Sequence, residues 1–236
     1  MLNSPEIFDR AEILLGAEVM ERLAQTRVIL FGVGGVGSWC AEALVRTGVG
    51  SLTIVDMDDV APSNVNRQLP ATTATIGEPK VEAMRRHLLE VNPQAEIAAL
   101  QRRFTAESAA DFDLGSYDFV VDAIDSVADK AELILLATSL GSKPKLVSSM
   151  GAARKTDPLR VQVREFADVR GCPLAAALRS RFKRIGRWPR RKFKAVFSDV
   201  VLPAPASGPN GSLMQITAVW GLVLASQIIN AVARRQ

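Results

Sequence analysis

Cysteine and histidine are scarce in this 236-residue chain, which holds two of the first and one of the second. Cys40 and Cys172 lie far apart, so neither a disulfide framework nor a pair of CxxC zinc knuckles can form. With His87 as the single histidine, a three-ligand catalytic metal has little to draw on. So little cysteine points to a reduced, cytoplasmic setting. No internal repeat is present. The opening "MLNSPEIFDRAEIL" mixes charges with apolar residues, so no secretory leader is expected. Charge is absent from Val200 to Ala233, and Leu213 to Ala233 is long enough to span a bilayer. Gln215, Thr217, Ser226, Gln227 and Asn230 interrupt that stretch. A helix buried against a sheet or in a dimer interface is expected there, ahead of peripheral or C-terminal membrane association.

What is present describes an ordinary soluble chain: 48% hydrophobic and 23% charged residues, with enough length for one sizeable core. The net charge of +4 is unevenly spread. "RSRFKRIGRWPRRKFK" (Arg179 to Lys194) carries nine Lys/Arg and no acid, which leaves the remainder net negative. Basicity confined to one place suggests a polyanion contact, the plainer alternative being a solvated loop.

Apolar residues recur at helical spacing from Glu6 to Ala24. Short apolar runs then alternate with helical patterns. Strands are expected at 27–31, 51–56, 95–100, 117–122 and 145–149, and helices at 38–47, 79–91, 105–111 and 128–140. This is the signature of βαβ units, and it predicts an α/β fold: a Rossmann-like, doubly wound, mostly parallel sheet. After Gly151 the texture changes. "RVQVREF" (Arg160 to Phe166) alternates like an antiparallel strand, the basic crossover segment follows, and "LPAPASGPNGS" reads as loop. One domain over 1–236 is expected, with a nucleotide-binding core at 1–150. The antiparallel extension, basic loop and C-terminal helix fill 151–236.

The chemistry begins at "FGVGGVGSW" (Phe31 to Trp39), where Gly32, Gly34 and Gly37 form G-x-G-x-x-G between a strand and a helix, with Gly35 beside them. Backbone amides and the helix N-terminus there make an anion cradle. Asp56, 19 residues after Gly37, ends the second strand where a carboxylate can accept from ribose hydroxyls. Both features also suit a nicotinamide-binding oxidoreductase. The next segments discriminate. "DMDDVAPSNVNRQ" (Asp56 to Gln68) adds Asp58, Asn64, Arg67 and Gln68, and "GEPK" sets Lys80 at a helix start. "VVDAIDS" ends another strand with Asp122 and Asp125. Hydride transfer develops no phosphate charge, whereas attack at an α-phosphate does, and cations with a metal aimed there lower its barrier. ATP with magnesium fits this set better than a dinucleotide.

In that order, "GVGGVGS", "DMDDVAPSNVNRQ", "GEPKVEA" and "DAIDS" resemble the motifs of the ubiquitin-activating and ThiF/MoeB adenylating superfamily over about Ile7 to Ser149. The resemblance implies ribose binding by Asp56, triphosphate contacts by Arg67 and Lys80, and magnesium on Asp125. It also implies a homodimer in which Arg10, within "FDRAEILLG", reaches the neighbouring subunit's ATP. Longer stretches, among them "VGSWCAEALVRTGVGSLTIVDMDDV" and "CPLAAALRSRFKR", are similar to one branch, the tRNA threonylcarbamoyladenosine dehydratases. That branch implies adenylation of a tRNA-borne carboxylate and ring closure with net loss of water. The basic segment would then grip the anticodon arm, with Phe182, Trp188 and Phe193 offered to unstacked bases. The alternative substrate is the C-terminal glycine of a ubiquitin-like sulfur carrier, although activators of that class usually carry the CxxC pairs missing here. A sulfur-relay protein is a further possible partner, and a non-catalytic scaffold is opposed by intact Arg67, Lys80 and Asp125. The chain departs from many members at Pro70, where a histidine is usual, and at Ala195, where a cysteine is usual.

Overall fold

Apolar strands too short to stand alone pair here into one sheet, in a computed structural model that describes residues 6–234. The chain opens with α1 (Asp9–Leu15) and α2 (Ala17–Ala24). One continuous helical pattern is thus split at Gly16, where φ is 83°. Then follow β1 (Arg27–Phe31), α3 (Gly37–Arg46), β2 (Ser51–Val55), α4 (Lys80–Val91), β3 (Glu96–Leu100) and β4 (Phe119–Asp122). The remainder is α5 (Val127–Ser139), β5 (Lys145–Ser149), β6 (Gln162–Glu165), α6 (Pro173–Ile185), β7 (Lys194–Phe197) and α7 (Met214–Ala233).

The strand order is β3-β2-β1-β4-β5-β7-β6, parallel throughout except that β6 runs against β7. The expected doubly wound sheet is therefore present. The antiparallel extension is β6 alone, since β7 continues the parallel run from β5. Alternation along β1 feeds both faces: Val28 and Leu30 join the core beneath α3, α4 and α7, while Ile29 and Phe31 join the core beneath α5 and α6. The chain winds outward in both directions from β1 and β4, which leaves a crevice at their carboxyl ends.

Two expectations change. The stretch 105–111 is not an α-helix. Ser108 accepts from the Thr105 amide and donates to the Arg103 carbonyl, a local bonding pattern that competes with helix, and only a 3-10 turn forms at Ala109–Phe112. The basic segment is not all loop either. Ala175, Leu178 and Phe182 form a buried stripe that carries α6 through Ile185.

The uncharged C-terminal stretch is α7, among the described residues the one helix long and apolar enough to cross a membrane. Its Ile216, Trp220, Leu224, Ile228 and Val232 repeat every fourth residue and are fully or almost fully buried. They share a core with Cys40, Ala41 and Leu44 of α3, against which α7 packs.

Candidate functional site

The glycine turn after β1 is shaped by two close approaches. Gly32 has a φ of 91°, and a Cβ there would meet the Ala123 carbonyl oxygen at 2.7 Å. A Cβ on Gly37 would sit 1.8 Å from the Gly32 carbonyl oxygen. Side chains at either position would push the turn away from the strand and from α3. Gly34 and Gly35 line a cleft of about 380 Å³ at the carboxyl ends of β1, β2 and β4.

Asp56 leads off the end of β2 into this cleft, its carboxylate accepting from the Val33 amide at 2.6 Å and the Asp58 amide at 2.9 Å. Burial raises its pKa above the usual carboxylate range, against the pull of those two amides and of Lys80. Lys80, the first residue of α4, is buried to the ammonium, which lies 2.7 Å from Asp58 Oδ2. Arg67 is steadied by the Ser63 carbonyl at 2.8 Å and Asn66 Oδ1 at 2.9 Å, and Trp39 Nε1 donates to its carbonyl. Asn64 is buried, its Oδ1 accepting from the Ala61 amide. Asp125 follows β4 on the opposite wall and is exposed to solvent.

The cleft thus gathers Gly32, Gly34, Gly35, Asp56, Asp58, Asn64, Arg67, Gln68, Lys80 and Asp125 from five separate stretches of chain. Three of the expected residues lie outside it. Gly37 works beneath the turn, as a packing contact. Asp122 ends β4 with no exposed surface, 2.9 Å from Lys130 Nζ, and accepts from Ser148 Oγ at 2.6 Å. It accepts from the Ile124 amide within the Ala123–Asp125 turn and is not part of the cleft lining. Arg10 is exposed on α1 and does not line its own chain's cleft.

Five charged or polar cleft residues lie outside the sequence expectation: Arg102, Arg103, Ser126, Asp129 and Thr217. Arg103 pairs with Asp129 at 2.8 Å, and Arg102 pairs with Asp111 while stacking 5.3 Å from the Phe112 ring centroid. The available signal was position alone, because "QRRF" begins at the carboxyl end of β3, the edge where such sheets bind ligands. Among the described residues no three of His, Cys, Asp and Glu cluster as a metal site.

The basic segment divides. Arg179 donates to the carbonyls of Phe166 and Val169, and Arg191 to those of Ala137, Thr138, Ser142 and Pro144. Burial lowers the pKa of both. Arg187 pairs with Glu132 and Lys194 with Glu165. Lys183, Arg184, Arg190 and Lys192 are exposed, with no ion pair among the described residues. Phe182 and Phe193 are buried in the core and offer no face to a base; of the three aromatics only Trp188, 53% exposed, does.

Cys40 is fully buried in α3 and burial pushes its thiol pKa up, so it packs as a small hydrophobe. Cys172 is also buried, and neither forms a disulfide. His87 bonds Glu42 Oε2 at 2.9 Å on the surface of α4.

Fold and cleft together define a Rossmann-like nucleotide-binding domain whose cleft carries Arg67 and Lys80 beside the glycine turn. The chain belongs to the ThiF family, whose model matches residues 8–235. It is 40% identical over 192 residues to the tRNA threonylcarbamoyladenosine dehydratase of Bacillus subtilis, covering 81% of this chain and 74% of that one. The enzyme of the same name from Haemophilus influenzae is 34% identical, with 92% and 89% covered. Among solved structures, E. coli TcdA in complex with AMP superposes with a TM-score of 0.91 at 34% identity, covering 100% and 99% of the two chains. Its complex with ATP gives 0.90 at 33% identity, with both chains fully covered.

Proposed function

We propose that this chain is an ATP-dependent tRNA threonylcarbamoyladenosine dehydratase working through an adenylate. The observation that carries the reading is the convergence of Asp56, Arg67, Lys80 and Asp125 on one cleft beside the glycine turn, in a chain matched end to end by TcdA bound to ATP.

Asp56 accepts from the ribose hydroxyls with the lone pairs its two amides leave free. The Gly32–Gly35 amides and the N-terminus of α3 hold phosphate oxygens. A carboxylate oxygen of the threonylcarbamoyl group attacks the α-phosphorus, and the bond to pyrophosphate breaks. Arg67 and Lys80 stabilise charge on the five-coordinate phosphorus and on the departing group. Lys80 is suited to this because burial and its fixed partner Asp58 leave it little freedom to reorganise. The ureido oxygen or nitrogen of the same modification then attacks the activated carbonyl carbon, a ureido N–H gives up its proton, and AMP departs. That ring closure needs no enzyme thiol, since proximity supplies the effective concentration, and it agrees with two buried cysteines.

Asp125 would hold magnesium. With no three-ligand cluster among the described residues, phosphate oxygens and water would have to supply the other ligands. When bound, the ion supplies further positive charge at the phosphates. We assign a homodimer on α1, where Ile13 and Leu14 are 79% and 82% exposed and Arg10 is exposed and does not line its own cleft. The anticodon arm is assigned to the free cations Lys183, Arg184, Arg190 and Lys192, with Trp188 beside them.

The test is isotope exchange between pyrophosphate and ATP. Exchange dependent on threonylcarbamoylated tRNA is expected. Exchange that ignores this tRNA and requires a carrier protein ending in Gly-Gly would replace the reading with sulfur-carrier adenylation. Thermal stabilisation by NAD but not ATP–magnesium would replace it with an oxidoreductase.

A further inference from the structure

Gln68 forms part of the cleft wall at 7% exposure, yet its Oε1 has no hydrogen-bond partner. The residue is fixed at its backbone, donating to the Asn64 carbonyl at 3.0 Å and accepting from the Ala71 amide at 3.1 Å. Its Nε2 lies 3.8 Å from where a Cβ on Gly34 would stand, so the amide borders the glycine turn. A buried acceptor left unpaired is costly, and a partner arriving from the cleft would relieve that cost.

The N-terminus of α7 adjoins the same wall. Asn66 Nδ2 donates to the Ser212 carbonyl at 3.0 Å, tying the approach to α7 to the Asn64–Gln68 segment. Thr217, in the first turns of α7, lines the cleft and packs 3.1 Å from the Cβ position of Gly35. The amides of Ile216 and Thr217 bond back to the Leu213 carbonyl, while the cap residue Leu213 supplies no side-chain acceptor. That leaves the Met214 and Gln215 amides, at the positive end of this 20-residue helix, without a capping acceptor.

We infer that the acceptor substrate docks here. Its carboxylate lies at the N-terminus of α7, and Gln68 Oε1 accepts from a hydrogen-bond donor beside that carboxylate. The inference rests on the function proposed above and deepens it. A threonylcarbamoyl group offers a carboxylate flanked by a ureido N–H and a hydroxyl, which matches an anion site next to a lone acceptor. Gln68, grouped with the ATP-binding residues on sequence grounds, is thereby reassigned as a specificity residue for the acceptor. A carboxylate lacking such a donor leaves Oε1 unpaired and binds less well.

The experiment is steady-state pyrophosphate release from threonylcarbamoylated tRNA and from its glycylcarbamoyl analogue, with wild type, Gln68→Leu and Gln68→Asn. The expected result is a KM for modified tRNA raised about 10-fold in Gln68→Leu, the loss of one buried neutral hydrogen bond, with the KM for ATP within about twofold. Gln68→Asn keeps an amide with shorter reach; its ATP KM reports that the cleft has folded, and its tRNA KM should rise as well. A wild-type preference for threonylcarbamoyl over glycylcarbamoyl that vanishes in Gln68→Leu identifies the hydroxyl as the donor; an equal loss on both substrates identifies the ureido N–H. A raised ATP KM with unchanged tRNA KM, or no change in either, overturns the inference and leaves the proposed function standing. Wild-type exchange that needs a carrier protein and ignores modified tRNA overturns both.

Discussion

Lys130 and Asp122 form an ion pair with no solvent exposure on either side chain, so replacing Lys130 by Met tests how the cleft is supported. The Lys130 ammonium touches Asp122 Oδ1 at 2.9 Å and the Ile124 carbonyl at 3.0 Å. Removing it leaves a buried carboxylate with Ser148 Oγ and the Ile124 amide as its remaining donors. Breaking a buried pair from one side costs about 3–5 kcal/mol, because the surviving charge is uncompensated. For a chain of this length that corresponds to a fall in Tm of roughly 6–20 °C. Urea unfolding followed by tryptophan fluorescence measures it, since Trp220 is fully buried. The double variant Asp122→Asn/Lys130→Met removes both charges and should recover at least about 1 kcal/mol relative to Lys130→Met alone. A single-variant cost below about 1 kcal/mol, or a double variant as unstable as the two singles summed, would refute the claim that the pair holds the Ala123–Asp125 turn.

Arg67→Ala and Asp125→Ala should each lower pyrophosphate exchange by about 10²-fold or more, the scale for a preorganised charge-stabilising group, and near-normal rates would show that the phosphates lie elsewhere. Asp56 gives a pH signature. Its pKa is raised by burial above the usual carboxylate range. The stability it contributes is present at low pH and lost as pH rises through that raised value. Ribose binding needs the carboxylate, so ATP affinity runs the other way, falling as pH drops through the same value and above the usual carboxylate range. Asp56→Asn should bind more weakly with no such step, and parallel pH profiles for the two proteins would dismiss the assignment. Neutralising Lys183, Arg184, Arg190 and Lys192 together should flatten the salt dependence of tRNA binding by roughly three to four units of slope while sparing ATP binding. An unchanged slope would move the tRNA site to another face.

The alternation of short apolar runs with helical patterns made the sheet legible, and the nucleotide side of the cleft could be read because its residues travel in contiguous motifs. Asp56, Arg67 and Lys80 each follow a recognisable local rule. Asp122 did not yield to the same reasoning. It sits three residues before Asp125 with the same chemistry, and only the pairing of β4 between β1 and β5 shows that one carboxylate is covered and the other free. A hint existed in Lys130, a lone cation within the apolar helix "VADKAELILLA". A buried lysine asks for a buried acid. Arg102 and Arg103 were overlooked because no motif contains them, and the tertiary fold alone brings β3 beside the ribose position. In the basic segment, density of charge obscured the spacing of Ala175, Leu178 and Phe182. That apolar stripe forms α6 and buries Phe182, while Phe193 stacks on Phe166 in the same core.

Where α6 runs decides what its cations can do. The helix packs beside α5, and the loop after it is anchored by Arg191 to the carbonyls of Ala137, Thr138 and Pro144, at the end of α5 and just before β5. Those carbonyls lie at the amino edge of the parallel sheet, whereas the nucleotide cleft opens at the carboxyl edge. Thirteen residues of helix separate the two levels by about 20 Å. On the proposed reading, the free cations therefore grip phosphates well away from the reacting adenosine, and the arm lies along the α5–α6 layer. They act on affinity and orientation, while the transition state is left to Arg67 and Lys80. The division follows from physical chemistry: exposed cations grip a screened polyanion through many weak contacts, whereas charge developing on one phosphorus needs a few cations fixed in place. The fold supplies each at an opposite edge of one sheet.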